Sequence, residues 1–483
     1  MRSRRMRGSF AAVTALAALA VLAIATSSSA SGSLLTLPAV QGPSISSLNG
    51  ATAVSKGCLF ASQGLSCYGP YELGKAYNFP SNLNGRGQTI IIVDAYGSPT
   101  IQSDLASFDT YFSVPPPPSF KIINARGTGA AGSGDTLDWG VETSLDVEYA
   151  HAMAPGANIV LDVAATDNND DLNAAELQVF PLYPHAIISQ SFGDWETDPT
   201  AGNSFQVEHR IFQLATALGD TILASSGDAG ATWTQYTGTT SPAVASYPAS
   251  DPLVTGVGGT QGLPYPGGLY QNGGYGGEQV WNEPASDLGI DAASGGAPSI
   301  LFSSPSYQQG VTGYRSRTVP DVSYNAAVNG GVEVFASPNI YLVGGTSCGS
   351  PQWAAIFALV DQARAQAGRG PIGFANPALY QLAQQSSGGH HGFSANFHDN
   401  SADFHDITVG NNALDSPVGF SAGPGYDLAT GLGTPNVGNL VRDLTTASSG
   451  GNPAFDWSGF LGQVQFASPW GGRHHANTMA PGL

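Results

Sequence analysis

The residues best suited to chemistry are one serine and a set of acids. Ser347 lies in Gly344-Gly345-Thr346-Ser347-Cys348-Gly349-Ser350-Pro351, after a short apolar run at 340–343 and before an apolar stretch at 352–360. The pattern reads as strand, glycine turn, helix. The two glycines let the backbone turn without a Cβ clash, and Pro351 suits a first helical turn, where its missing N–H costs little. A serine so placed sits at a helix N-terminus, where free N–H groups and the helix dipole favour developing negative charge. It is a nucleophile or a helix N-cap, and Gly-Thr-Ser alone favours the cap. Glu142 and Asp146 are spaced i and i+4 on an expected helix, so both carboxylates share one face. Like charges that close raise each other's pKa and tend to share one proton. Such a pair ordinarily marks a solvated face, yet no Lys or Arg stands within a turn of it. Asp228 ends a strand in Ser226-Gly227-Asp228-Ala229-Gly230, where an Asx-turn is the plain alternative. Asp406-Ile407 and Gly423-Pro424-Gly425-Tyr426-Asp427 offer two carboxylates and bent backbone carbonyls, donors suited to a hard cation such as calcium.

Groups so far apart in sequence need a scaffold that gathers them. Residues 88–94, 158–163, 186–193, 221–228 and 253–259 read as strands, and 88–94 is continuous and β-branched, as a strand buried on both faces must be. Helices are expected at 140–153, 208–218, 351–366 and 437–446. The alternation argues an α/β fold with a mainly parallel central sheet and helices on both faces. Chemistry then belongs at the carboxyl ends of the strands. Residues 31–57 read as a flexible leader, 58–446 as the folded domain, 261–310 as a surface excursion within it, and 447–483 as a tail without an assigned role.

The N-terminus is basic, with an apolar segment at 10–25 and small residues at 26–30. That is a secretory signal at 1–30, too short and wrongly flanked for a stable membrane span. The 483-residue chain carries a formal net charge of −19, which becomes −23 once the four arginines of the signal are lost. So acidic a chain is a poor nucleic-acid binder and suits export into acid, where protonation draws the charge toward zero. Apolar residues make up 42% and support a sizeable core, while 63 glycines and 32 prolines imply many turns around it. Cys58 and Cys67 suit a disulfide closing a small loop outside the cytoplasm. Cys348 is then an unpaired packing residue, and no cysteine pair has zinc spacing.

Together these segments resemble the sedolisin, or serine-carboxyl peptidase, family from about Cys67 to about Leu444. The family's Ser-Gly-Thr-Ser-x-x-x-Pro motif is met at 344–351, with Gly344 in place of the first serine. Supporting matches are Ser189-Gln190-Ser191-Phe192-Gly193, Tyr247-Pro248-Ala249-Ser250, Gly258-Gly259-Thr260 and Pro320-Asp321-Val322-Ser323. The resemblance implies a subtilisin-like fold, with Ser347 as nucleophile, Glu142 as general base, Asp146 as its partner and Asp228 as oxyanion donor. It implies substrate binding by Ser191, Phe192 and Gly193. It further implies one calcium ion held by Asp406, Ile407, Gly423, Gly425 and Asp427, the middle three through carbonyls. The expected protein is a secreted, monomeric, acid-acting serine endopeptidase with polypeptide substrates, without nucleic acid or stable membrane insertion. A carboxylate base fits acid, where a histidine would already be charged. Asp228 helps only when protonated, since it must donate a hydrogen bond. Sedolisins usually carry a long N-terminal pro-segment; here residues 31–57 alone separate the expected signal from Cys58.

An ordinary subtilisin fails on the base. Ile91-Ile92-Val93-Asp94 resembles that family's aspartate strand, but no His-Gly-Thr-His motif exists, so Asp94 reads as structural and His151 lacks the required context. A glycosidase would use paired carboxylates but leaves the serine turn unexplained. A catalytically inactive secreted binding protein on the same fold is the remaining alternative.

Overall fold

The structure is a computed structural model that describes residues 40–46, 58–124, 136–198, 201, 203–232, 242–262, 270–271, 273–284, 291–384, 393–394, 402–414 and 416–447. The expected signal at 1–30 and the tail beyond residue 447 lie outside the described residues. Strands β1 (Val40–Ser46), β2 (Thr89–Ala95) and β3 (Phe120–Asn124) precede helix α1 (Thr136–Met153). Then come β4 (Asn158–Ala164), α2 (Asn169–Val179), β5 (Ile187–Gln190), α3 (Ser204–Leu218), β6 (Thr221–Ser225) and β7 (Thr255–Gln261). Further strands include β8 (Gln279–Val280), β9 (Ala297–Ser303), β10 (Ser316–Val319), β11 (Val322–Asn325), β12 (Val332–Ala336) and β13 (Asn339–Gly344), followed by helix α4 (Gly349–Gln366).

The central sheet has eight strands in the order β8-β7-β6-β5-β2-β4-β3, with β11 also paired to β7. Every pairing is parallel except that of β8 with β7. Helices α1 and α4 cover one face, while α2 and α3 pack on the other. Ile90, Ile91, Ile92 and Val93 of β2 are accordingly all fully buried, which is why that strand is apolar without alternation. Among the described residues no helix is long and apolar enough to cross a membrane.

Three expectations need correction. The leader is not wholly flexible: β1 pairs antiparallel with β13. Its composition hides the strand because Gly42-Pro43 forces an irregularity between Gln41 and Ser44, so no two-residue period appears. Residues 261–310 are not only surface loop, since β8 joins the central sheet and β9 pairs with β10. Pairings this short, or interrupted in register, leave no pattern to read. Finally, helices α1 and α3 start earlier than expected, at Thr136 and Ser204.

The core is unusual in its acids. Val93 lies in register with Asp162 on one side and Gln190 on the other, so these residues share the face covered by α2 and α3. There Gln190 Nε2 donates to Glu176 Oε1, and Glu208 approaches the same amide. Asp162, Glu176 and Glu208 are buried, and burial foremost pushes each carboxyl well above its ordinary value, with neighbouring acids pushing further. Among the described residues, the groups acting on them are other acids and one amide, with no cation. A carboxyl whose folded pKa is raised favours folding while protonated, and that contribution is lost as pH rises through the folded pKa. The melting temperature should be highest near pH 4, where the unfolded carboxyls begin to ionise, and should fall toward pH 8. Glu176→Gln should leave the melting temperature at pH 4 nearly unchanged and raise it at pH 7; calorimetry across that range checks both.

Candidate active site

The serine turn hangs at the end of β13. Gly345 takes φ +108, open to glycine alone, and its N–H donates to Ala326 O at 2.7 Å. A Cβ at Gly344 would lie 2.6 Å from Ala326 O, so that position also excludes a side chain. Thr346–Cys348 then form one turn of 3-10 helix that runs directly into α4. Ser347 caps nothing: its Oγ donates to Ser191 O at 3.3 Å. The turn is clamped to its surroundings. Ser189 Oγ and Ser350 Oγ are 2.8 Å apart, joining β5 to α4, and Trp353 Nε1 donates to Ser323 O at 3.0 Å.

Helix α1 packs against this turn and against α4. Glu142 and Asp146 are both 0% exposed, so the face they share is interior rather than solvated. Burial, then Glu142, then Asp94 raise the Asp146 carboxyl well above its ordinary value, against a hydrogen bond from Ser191. Ser191 Oγ donates to Asp146 Oδ1 at 2.9 Å. The thiol of Cys348 registers the convergence: after burial, the groups that raise its pKa are Glu142, Asp228 and Asp146. The structure thus brings Ser347, Glu142, Asp146 and Asp228 to one place.

Asp228 follows β6 at its carboxyl end. Its Oδ1 accepts from Thr346 N–H at 2.8 Å and from Thr346 Oγ1 at 2.7 Å. These partners come from the serine turn, so the carboxyl is not closing a local Asx-turn. Thr346 Oγ1 in turn accepts from Gly227 N–H at 3.1 Å. With both lone pairs of Oδ1 engaged, a proton on Asp228 belongs on Oδ2. Burial lifts this carboxyl to about 6, and the two Thr346 bonds hold it from rising further.

Two residues carry more than their sequence context suggested. Asp94, at the carboxyl end of β2, is buried at 0% exposure, pushed by burial to about 7 and eased by Thr143, and it acts directly on Asp146. Thr346 is the anchor of Asp228. Only the place of Asp94 at the end of a central strand could have flagged it. By contrast, the expected substrate residues turn inward: the side chains of Ser191 and Phe192 are buried, and a Cβ on Gly193 would collide with Ser246 Oγ. The Ser191 hydroxyl is engaged by Asp146 instead. His151 is buried and faces Asp109, its Nε2 lying 3.2 Å from Asp109 Oδ1.

The expected calcium residues form one loop cluster. Gly425 N–H donates to Asp406 Oδ2 at 3.0 Å, and Gly423 N–H donates to Asp427 Oδ2 at 3.1 Å. Burial foremost, opposed by the Gly425 N–H and aided by Asp427, raises Asp406 to about 6; Asp427 is itself raised by burial. Ile407 is buried at 1% exposure beside them. Two carboxyls that repel each other across a glycine-bent loop are a donor set that fits a hard cation.

No family model matches the chain. Kumamolisin from Bacillus sp. (strain MN-32) is 33% identical over 401 residues, covering 80% of this chain and 65% of kumamolisin. Tripeptidyl-peptidase 1 from Rattus norvegicus is 32% identical over 349 residues, covering 67% of this chain and 54% of that protein. The solved structure of Pseudomonas sedolisin, a serine-carboxyl proteinase, matches with a TM-score of 0.64 at 28% identity, over 78% of this chain and 98% of that one. The chain belongs to the sedolisin family. It spans only 65% and 54% of the length of the two sequence relatives. The sedolisin match also carries the subtilisin-like α/β fold with its mainly parallel sheet.

Two measurements test this sedolisin-family site without reference to turnover. Asp228, followed by carbon NMR, should titrate near pH 6; removing the Thr346 hydroxyl removes a bond that favours the charged form, so Thr346→Val should move the titration upward. A titration unmoved or lowered in the variant would contradict the anchoring role. Calcium that binds only the folded chain should raise the melting temperature in proportion to RT ln(1 + [Ca²⁺]/Kd). Asp406→Ala and Asp427→Ala should each abolish that response, which a thermal scan with calcium and with chelator will show.

Proposed function

We propose that this chain is a secreted serine endopeptidase acting in acid, with Ser347 as nucleophile, Glu142 as base, Asp146 as partner of that base and Asp228 as oxyanion donor. The observation that carries the proposal is Asp228 itself. It lies against the serine turn, it is lifted to about 6, and its Oδ1 is engaged by two donors from Thr346, which leaves Oδ2 to hold the proton. A neutral carboxylic acid is a hydrogen-bond donor; an ionised one would place negative charge where more is developing. Loss of one such donor typically costs about 10²–10³ in rate.

Ser347 attacks a peptide carbonyl and gives its proton to the Glu142–Asp146 pair. Burial, then Glu142 and Asp94, raise Asp146, so the pair holds one proton readily and passes it on to the leaving amine. Polypeptide substrates would pair with the backbone at Ser191, Phe192 and Gly193. The signal-like residues 1–30 support secretion, and Asp406 and Asp427, with the carbonyls of Ile407, Gly423 and Gly425, would hold one calcium ion. That ion would tie the 406–427 segment to the core, a structural rather than chemical contribution.

The test is cleavage of a denatured protein across pH. Wild type should be active on the order of pH 3–5, with an alkaline limb near 6 that reports loss of the Asp228 proton. Ser347→Ala and Glu142→Ala should each abolish activity while keeping the fold, and their effects should not add. Asp228→Asn, a neutral donor at all pH values, should retain some activity and lose much of the alkaline limb. A folded wild type without any cleavage would favour an inactive binding protein, and activity peaking near neutral pH would contradict the scheme.

A further inference from the structure

The leader strand β1 lies closer to the serine turn than its place in the sequence implies. β13 is the middle of three strands in the order β1-β13-β12. On one side, Val332↔Val343 through Ala336↔Asn339 pair β13 with β12. On the other, Val40↔Gly344, Gln41↔Val343, Ser44↔Tyr341, Ile45↔Ile340 and Ser46↔Asn339 pair it with β1. The last β1 pairing therefore reaches Gly344, three residues before Ser347. Without β1, β13 would be an edge strand with unpaired backbone groups running straight into the serine turn.

Side chains bind the same pieces together. Val40 and Ile45 pack on a buried cluster that includes Phe60, Ala326, Val328 and Leu342. Val328 is the link: a Cβ on Gly42 would lie 2.5 Å from Val328 Cγ1, and a Cβ on Gly344 would lie 2.8 Å from Val328 Cγ2. Val328 is thus gripped between the leader and the serine turn. Its N–H donates to Glu283 Oε2 at 2.8 Å, so it cannot simply recede. A displaced leader would release Val328 and, with it, the backing of Gly344.

We propose that β1 is a positioning element of the active site, a strand that must remain seated on β13 for the serine turn to hold its shape, even when the chain between it and Cys58 is cut. The proposal rests on Ser347 being the nucleophile. Its logic is that of strand addition to a sheet edge, in which main-chain hydrogen bonds supply affinity and alternate side chains supply specificity. A small error in nucleophile position is costly: a displacement of about 1 Å can lower the rate by about 10²-fold.

The experiment inserts the recognition sequence of a specific protease between Ser46 and Cys58 in the full chain and cuts the folded protein. The N-terminal fragment should stay bound through gel filtration. Stripping it with mild chaotrope should lower kcat by roughly 10- to 100-fold with KM little changed, and should expose the amides of residues 340–346 to hydrogen exchange. A synthetic peptide of residues 38–47 should restore both properties, and the same peptide with Gly42→Val should restore neither. A fragment that leaves on cleavage with kcat and amide protection unchanged would overturn the proposal. So would a peptide that restores amide protection but not kcat, because the strand would then be merely structural. If the uncut chain is inactive, or keeps activity in Ser347→Ala, the peptidase proposal fails by itself. Unchanged amide protection after stripping would still refute the strand's hold on the turn in that case.

Discussion

Burial of carboxylic acid without compensating cation is the condition on which this molecule depends. An ionised carboxylate in an apolar interior is too costly to persist unless paired, so an unpaired one keeps its proton. Asp94, Asp146, Asp162, Glu176 and Glu208 are all buried at 3% exposure or less, and all are raised by burial first. Asp321 shows the other solution. Arg317 grips it with both guanidinium nitrogens, 2.6 Å to Oδ1 and 2.5 Å to Oδ2, in a pair that is itself wholly buried. Asp321 is held as a charge by a guanidinium; the five acids above have no such partner among the described residues, and burial favours their neutral form.

That condition joins the scaffold to the site. Asp94 and Asp162 sit one register step apart on neighbouring strands, facing opposite sides of the sheet, and Asp94 is among the causes that raise Asp162. The chemical face and the α2–α3 face are therefore sensitive to the same change of pH. A fold built this way has its stability and the protonation of the acids beside its serine turn set by one solvent variable, so neither can be tuned far from the other. The parallel sheet makes the arrangement possible, because β2, β5 and β6 all deliver their carboxyl ends to the same side. Asp94 comes from the first, Ser191 follows the second, and Asp228 follows the third.

Much of the site was legible from sequence because its chemistry is written in short contiguous segments. The serine turn needs glycines and a proline at set places, and Glu142 and Asp146 need only the helical period to share a face. The sheet was legible because β2 and β4 are too apolar to be anything but buried strands. Asp94 was not, since its nearness to Asp146 is a contact between a strand and the helix laid over it, invisible to any local pattern. The inward turn of Ser191 escaped for the same reason. β1 escaped because a strand held by its partner's backbone, and broken by Gly42-Pro43, has no periodic signature. Cys58 and Cys67 were expected as a bridge and are joined in the structure.

Cys348, beside the serine, has a separate consequence. It is 1% exposed, and burial together with three surrounding acids drives its thiol pKa upward. Thiolate is the form that alkylating agents, heavy metals and peroxide attack. A cysteine one residue from Ser347 is therefore kept unreactive by its burial, and further by the same acids that surround the serine. The site should tolerate oxidants and cysteine-directed labels, and a thiol reagent that nevertheless modified this chain would be reporting an opened fold.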